Sequence, residues 1–253
     1  MNLIITTTFL FLFSISFSQI TISEDQKNKK PSRPILQFTD PIKSFKDINS
    51  NFYISMNTSS SFRDLKTNEA FLLIPLNERV NETPLFTNSY TLGVNGHIFN
   101  GLGWDGAISF MQNGEQYLFS DTDTLFAYKT KYSYFSMPIR IYYNFDFTKR
   151  IGLKLGAGVI PSLFINYKQN QNWETSGGSS ETNLIQTNVG YNSAIFNLNT
   201  YLYFTYRLSQ EFGFFIGPEY RYQLSNSYQT TADYKHYARA FGVTFGFCKR
   251  LNN

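Results

Sequence analysis

Apolar and polar residues alternate along eight segments of the chain, all of them after about residue 50. In each segment the apolar side chains recur at every second position, which is the period of a β-strand with one apolar face. Most segments have nine or more residues, longer than ordinary globular strands and long enough to cross a bilayer at a tilt. The predicted strands are Asn51–Ser59, Ser89–Phe99, Gly103–Met111, Tyr132–Phe145, Ile151–Tyr167, Tyr191–Leu208, Phe212–Leu224 and Tyr237–Leu251.

The connections between these segments alternate between long and short. The long ones are residues 60–88, 112–131, 168–190 and 225–236, and the short ones are Asn100–Leu102, Asp146–Arg150 and Ser209–Glu211. Up-and-down barrels of bacterial outer membranes have this layout, with long loops outside the cell and short turns in the periplasm. The sequence therefore predicts an all-β fold, an eight-stranded antiparallel up-and-down transmembrane β-barrel with both termini in the periplasm.

The composition agrees with strands that have one apolar and one polar face. Aromatic residues make up 18% of the 253 residues and charged residues 16%, whereas about 25% charged is usual for a soluble domain. The mean hydropathy of −0.28 argues against a helical membrane protein. A soluble lipocalin-like barrel is the alternative, but its outer face would need many more charges.

Tyrosines cluster toward the ends of the predicted strands. Amphipathic rings at this depth form the aromatic girdles of membrane barrels, although Tyr is also common in strands generally. The tyrosines concerned are Tyr132, Tyr134, Tyr142, Tyr143, Tyr167, Tyr206, Tyr220, Tyr222, Tyr234 and Tyr237.

The N-terminal residues differ from the rest of the chain. Residues 1–18 combine a short apolar core with small residues before Gln19, which predicts a cleaved secretory signal peptide. The apolar run is shorter than the roughly 20 residues that a membrane anchor needs. Residues 19–49 hold Pro31, Pro34 and Pro41 and predict an irregular periplasmic leader. The predicted barrel domain then covers residues 50–253.

Several segments resemble the Gram-negative outer-membrane β-barrel domain family, which includes the PorT-like group. The similar segments are Tyr134–Tyr143, with its Met137-Pro138 pair, the glycine-rich Ile151–Gly158, Phe215–Tyr220 and Phe241–Phe247. Ser136 stands where the family usually has a carboxylate. The resemblance implies a structural, assembly or secretion-associated role in the outer membrane.

The polar face of the predicted barrel carries four charged residues, Arg140, Lys154, Glu219 and Arg221. A narrow lumen would desolvate these groups, so unpaired charges would be costly. We therefore expect Glu219 to contact at least one of the bases, with Tyr142 and Tyr201 as hydroxyl partners. Such a network would either stabilise a plugged barrel or line a path for solutes.

Candidate catalytic chemistry is sparse. His97 and Asp105 flank the turn Asn100–Leu102, and if that turn has three residues they form an inward pair, structural or able to orient a general base. His236 is expected in a solvated loop. No motif predicts a cofactor, a metal site, a nucleophile or nucleic-acid binding, and Cys248 is the only cysteine.

Function is less well defined by the sequence than fold. The first hypothesis is an integral outer-membrane protein with a structural, assembly or secretion-associated role, in contact with outer-membrane lipid and with other envelope proteins. The second is a minor channel for small solutes, although an eight-stranded lumen is normally filled by side chains. An outer-membrane enzyme is the third hypothesis, and no motif in the sequence predicts catalytic activity.

Overall fold

The computed structural model describes residues 50–67, 82–187, 189–230, 232 and 234–251. Within these residues the chain forms ten antiparallel β-strands. The same residues contain no helix that is long and apolar enough to span a membrane. The predicted signal peptide and leader, residues 1–49, lie outside the described residues. The strands are β1 (Ser50–Thr67), β2 (Glu82–Phe99), β3 (Leu102–Ser120), β4 (Thr124–Ser136), β5 (Ile139–Asp146), β6 (Ile151–Thr175), β7 (Ser180–Thr187), β8 (Ala194–Arg207), β9 (Phe212–Gln223) and β10 (Tyr234–Leu251).

The strands of the described residues close into a ring. The hydrogen-bonded order runs β2-β1-β10-β9-β8-β6-β4-β3-β5, and further pairings of β2 with β3 and of β6 with β5 complete the circle. β4 and β5 are the two halves of one crossing, because both lie between β3 and β6. β7 lies outside the ring and pairs with β6. The predicted eight-stranded antiparallel up-and-down barrel is therefore confirmed.

The break between β4 and β5 comes from Pro138. Proline has no N–H to donate to a sheet ladder, so the predicted strand Tyr132–Phe145 is interrupted at Met137-Pro138. The crossing stays attached to its neighbours, because the Met137 N–H donates to the Pro161 carbonyl at 2.9 Å and the Ala107 N–H donates to the Pro138 carbonyl at 3.0 Å.

Most of the predicted long loops are strand. β6 has 25 residues and β3 has 19, and β7 lies within the predicted loop 168–190. The predicted loop 112–131 is likewise mostly β3 and β4. The apolar alternation stops where the side chains become polar, but backbone pairing continues beyond that point. A prediction from apolar period alone therefore ends these strands too early.

The turn between β2 and β3 is also tighter than predicted. Asn100 and Gly101 have positive φ angles of 38° and 84°, which suits the two-residue turn of a twisted hairpin. Phe99 pairs directly with Leu102, and the register shifts between His97 and Phe99. The turn therefore has two residues. The register of β2 against β3 changes between His97 and Phe99.

The outward face of the ring is apolar around its full circumference. One representative from each crossing is between 40% and 63% exposed, and these define the apolar belt: Ile54, Leu92, Ile108, Ile141, Leu155, Phe204, Ile216 and Phe245. A continuous exposed band of this kind far exceeds the apolar patches of soluble monomers. The inward face carries the buried polar residues, so the predicted phase of these strands is correct.

The two ends of the barrel differ. The turn end carries the three short connections and the described chain ends, Ser50 and Leu251, and the loop end carries the extended strands β3, β4, β6 and β7. Many tyrosines of the predicted girdle line the lumen instead. Tyr132, Tyr134 and Tyr142 are at most 2% exposed, whereas Tyr143 and Tyr220 face outward and are 42% and 40% exposed. The lumen needs large side chains to fill it, which sequence spacing alone does not reveal.

The belt predicts how the barrel tolerates charge. In phospholipid vesicles, Leu155→Arg or Phe245→Arg should lower the free energy of unfolding by about 2–4 kcal/mol, because the guanidinium enters hydrocarbon. Asn172→Arg, exposed on β6 beyond the belt and paired with the uncharged Ala127 and Thr182, is the matched control and should change it by less than about 0.5 kcal/mol. Urea unfolding measures all three, and equal tolerance of Arg at the three positions would contradict a lipid-facing belt.

Candidate functional site

A buried ion pair lies on the inward face of the neighbouring strands β3 and β5. Asp105 on β3 and Arg140 on β5 are register partners, and Arg140 donates from Nε and Nη2 to Asp105 Oδ1 at 3.1 and 2.9 Å. The Tyr53 hydroxyl on β1 donates to the same oxygen at 2.9 Å and accepts from Arg140 Nη2 at 2.7 Å. Hydrogen bonds of this kind offset the desolvation of both charges, so the trio joins three strands across the lumen.

Two cations of the predicted network lie on aromatic faces. The Arg140 guanidinium is 4.9 Å from the centre of the Tyr201 ring, and Lys154 Nζ is 4.2 Å from the centre of the Tyr142 ring. The ring quadrupole attracts a cation at this distance, more strongly where water is excluded. Lys154 has no ion pair among the described residues. Its ammonium group is stabilised instead by the Tyr142 ring.

Among the described residues Glu219 forms no ion pair with a base. Glu219 points inward as expected, but it accepts hydrogen bonds from Asn199 Nδ2 at 2.9 Å, Tyr203 OH at 2.6 Å and Thr244 Oγ1 at 2.7 Å. These donors lie on β8 and β10, the strands that flank β9. Three donors satisfy the carboxylate without a cation. Hydroxyl and amide groups of the flanking strands therefore take the place of the basic partner that the sequence predicted.

The other predicted partners also differ from expectation. Arg221 donates to Ser59 Oγ at 2.9 Å and Ser89 Oγ at 3.4 Å. Tyr142 donates to the Gly96 carbonyl at 3.0 Å, and among the described residues the buried Tyr201 hydroxyl has no hydrogen-bond partner. The four predicted charges thus lie in four separate groups of contacts.

The predicted pair of His97 and Asp105 does not form. Asp105 is the register partner of Asn95 and His97 that of Gly103, because the tighter turn shifts the hairpin. His97 Nδ1 instead lies 3.5 Å from Asn144 Nδ2, and its ring meets Tyr142 edge-on at 6.0 Å. Within the described part of the chain, no carboxylate is hydrogen-bonded to His97.

Side chains leave little free space in the middle of the barrel. The cavity bordered by Met111, Arg140, Glu219, Arg221 and Thr244 has a volume of about 20 Å³, close to the minimum for one water molecule. A wider vestibule of about 650 Å³ opens at the turn end, where Lys154 and His97 reach it. The vestibule and the small cavity have no lining residue in common.

Small residues on one strand make room for rings on the next. A Cβ built on Gly156 would lie 2.2 Å from Cζ of Tyr201, and similar collisions pair Gly93 with Tyr53, Gly103 with Tyr142 and Gly246 with Phe215. These four glycines are therefore sites at which an aromatic ring of the adjacent strand packs over the inward face.

A second polar cluster lies at the loop end, beyond the apolar belt. Arg63 forms an ion pair with Glu82, and the Tyr132 hydroxyl donates to Glu115 Oε1 at 3.0 Å. Burial raises the pKa of the Glu115 carboxyl to about 7, although the Arg63 guanidinium opposes this shift. Arg63, Glu82 and Glu115 fell in predicted loops, so the sequence interpretation missed them.

His236 is buried rather than solvated. It is only 1% exposed, lies on β10, and stacks against Tyr132 and Tyr228 with ring centres 4.8 and 5.2 Å apart. Burial lowers the pKa of the His236 imidazole to about 3. In the described part of the chain neither ring nitrogen has a hydrogen-bond partner, and no three His, Cys, Asp or Glu residues are grouped to hold a metal ion.

Proteins similar to this chain are found among solved structures. No protein-family model and no curated protein matches the chain. Among solved structures it is similar to Neisserial surface protein A, with 13% identity over 79% of this chain and 97% of that one and a TM-score of 0.40. It is also similar to the outer membrane protein OprG from Pseudomonas aeruginosa, with 12% identity, 81% and 98% coverage and a TM-score of 0.39.

The outer membrane protease OmpT from Escherichia coli is a further similar structure. Its identity is 10%, the match covers 84% of this chain and 99% of OmpT, and the TM-score is 0.48. All three are outer-membrane barrels of Gram-negative bacteria. At these identities and TM-scores, nothing that these proteins do is carried over to this chain.

The fit of Tyr201 against Gly156 can be tested by a double-mutant cycle. Gly156→Ala should lower the free energy of unfolding by about 1–3 kcal/mol, because the added methyl group overlaps the Tyr201 ring. In a Tyr201→Leu background the same change should cost clearly less, since the terminal ring atoms are gone. Urea titrations of the four proteins measure the coupling free energy, and a cost that is the same in both backgrounds would contradict the close contact.

The ion pair of Asp105 and Arg140 is expected to matter more than a surface pair. Asp105→Asn should lower the free energy of unfolding by about 3–5 kcal/mol, because it leaves the guanidinium buried without its charge partner. Asp146→Asn is the matched control, since Asp146 pairs with Arg207 where both side chains are more than half exposed, and such pairs contribute about 1 kcal/mol or less. Similar losses in the two variants would show that the lumen pair is solvated.

Proposed function

We propose that this protein is an integral β-barrel of the bacterial outer membrane with a structural, assembly or secretion-associated role, in the manner of the PorT-like group. The loop end faces the cell exterior and the turn end faces the periplasm. A cleaved signal peptide exports the chain. Its surroundings are outer-membrane lipid and other envelope proteins.

The combination of an apolar exterior and a filled interior carries this proposal. The belt residues have no polar groups to present to water, and ring closure leaves no unpaired sheet edge in the belt, which is what a bilayer requires. Inside, Tyr53, Asp105 and Arg140 bond to one another across strands. A barrel closed in this way is suited to act through its surfaces rather than its lumen.

A channel is the second candidate, and the vestibule favours it to a limited extent. The vestibule at the turn end is large enough for a small solute. Passage would require several side chains to move, among them Arg140 and Glu219, each of which is held by at least three hydrogen bonds. The static arrangement therefore favours a plug.

An enzyme is the least supported candidate. His97 contacts an amide and a ring instead of a carboxylate, and His236 is buried between aromatic rings. Among the residues that the structure describes, neither histidine is hydrogen-bonded to a carboxylate that would orient it as a general base. Incubating folded protein with peptide and ester substrates and finding turnover that depends on either histidine would overturn this view.

Glu219 separates the plug from the channel. Glu219→Gln should lower the melting temperature, because an amide nitrogen replaces an oxygen that accepts from Tyr203 or Thr244, at a cost of about 1–3 kcal/mol. Neither this variant nor the unchanged protein should show single-channel conductance in planar bilayers. Glu174→Gln, at an exposed position, is the matched control and should change neither quantity. Steady conductance in the unchanged protein, or a large rise with Glu219→Gln, would favour the channel instead.

A further inference from the structure

A group of three lysines lies on the outward face of the barrel at the loop end. Lys131 on β4 and Lys168 on β6 are direct register partners, and Lys129 lies two residues from Lys131 on the same face of β4. All three side chains are exposed. We define Lys129, Lys131 and Lys168 as the lysine triad.

The register brings the three charges close together. Directly opposed residues of antiparallel strands have Cβ atoms about 5 Å apart, and residues two apart on one strand are separated by about 7 Å. Like charges in directly opposed positions disfavour the sheet. The repulsion between Lys131 and Lys168 therefore calls for an anion that neutralises it.

The described protein provides no such anion. Its ion pairs involve Arg63, Arg140, Arg207 and Arg239, and none involves the lysine triad. The register partners of the triad on the flanking strands are uncharged. They are Gly114 and Gln116 on β3, Asn170 on β6 and Gln186 on β7. The triad thus lies on a surface of glycine and amides, whose N–H groups can also donate to an anion.

The height of the triad above the belt indicates where the anion comes from. Phe135 and Ile165 are the last exposed apolar residues below it, 41% and 44% exposed. Lys168 follows Ile165 by three residues, which at the usual rise and barrel tilt places it about 7 Å higher along the barrel axis. The headgroup layer extends about 5–7 Å beyond the hydrocarbon on each side, and Lys stems reach toward it.

We propose that the lysine triad is a binding site for the phosphate groups of a phosphorylated glycolipid in the outer leaflet. This rests on the proposed placement of the barrel in the outer membrane. Two ammonium groups at one register position can hold one phosphate between them, and Lys129 and the amides of Gln116 and Asn170 extend the site toward a second phosphate or the sugar. The lipid would fix this side of the barrel at its depth in the leaflet.

The test uses the folded full-length protein in nanodiscs of zwitterionic phospholipid. Diphosphoryl lipid A is titrated in, and binding is followed by native mass spectrometry for the unchanged protein and for Lys129→Gln/Lys131→Gln/Lys168→Gln. Each lysine near an anionic lipid contributes enough for the triple change to weaken binding by about tenfold or more. Fully dephosphorylated lipid A should bind both proteins equally weakly, and excess inorganic phosphate should compete poorly if the site recognises lipid-borne phosphate.

A matched control removes the same number of charges at the other end. Lys149→Gln/Arg150→Gln/Lys249→Gln changes exposed cations at the turn end, where Asp146 and Glu211 line the same vestibule as Lys149 and Arg150. This variant should keep its affinity for diphosphoryl lipid A. Equal binding by the unchanged protein and the triad variant would overturn the site, and so would an equal loss in the control.

The folded state of each variant is checked independently by its heat-dependent shift in gel mobility in neutral lipid. If the triad variant inserts normally and binds lipid A as tightly as the unchanged protein, this inference is wrong and the proposed function is unaffected. A chain that does not insert into any bilayer would overturn both.

Discussion

Closing the sheet into a ring forces every strand to present alternate residues to two different surroundings. With eight crossings the interior is narrow, so side chains must fill it, and the exterior must satisfy whatever solvent surrounds the ring. The period of two and ring closure together determine that Leu155 points out and Gly156 points in, and they leave no unpaired sheet edge within the belt. The packing, the buried charges and the proposed lipid contacts all depend on this constraint.

The buried charges show how a narrow lumen is made stable without an apolar core. Arg140 is compensated by a carboxylate, a hydroxyl and a ring, and Glu219 by two hydroxyls and an amide. Each group draws its partners from at least two other crossings. The hydrogen bonds therefore connect strands that are distant in sequence, and they close the space that a solute would use.

The sequence was sufficient to predict the number of crossings, their phase and their order, because these follow from a period of two and from short turns. It was not sufficient to predict partners. Asp105 meets Arg140 because β3 pairs with β5 across a long connection, and nothing local fixes that register. Likewise the strands continue past the belt to Thr175, where the apolar signal has ended, so Glu115 and the lysine triad could not be assigned to a face from sequence alone.

The central claim is that the outward face lies in hydrocarbon while the loop end extends into water. The two tryptophans can test this claim. Trp104 faces outward on β3 and Trp173 lies near the end of β6. After Trp173→Phe, the fluorescence of Trp104 in vesicles should be quenched strongly by phospholipids brominated on their acyl chains and little by aqueous acrylamide. After Trp104→Phe, the pattern should be reversed for Trp173. Strong acrylamide quenching of Trp104, with no effect of brominated lipid, would contradict the account.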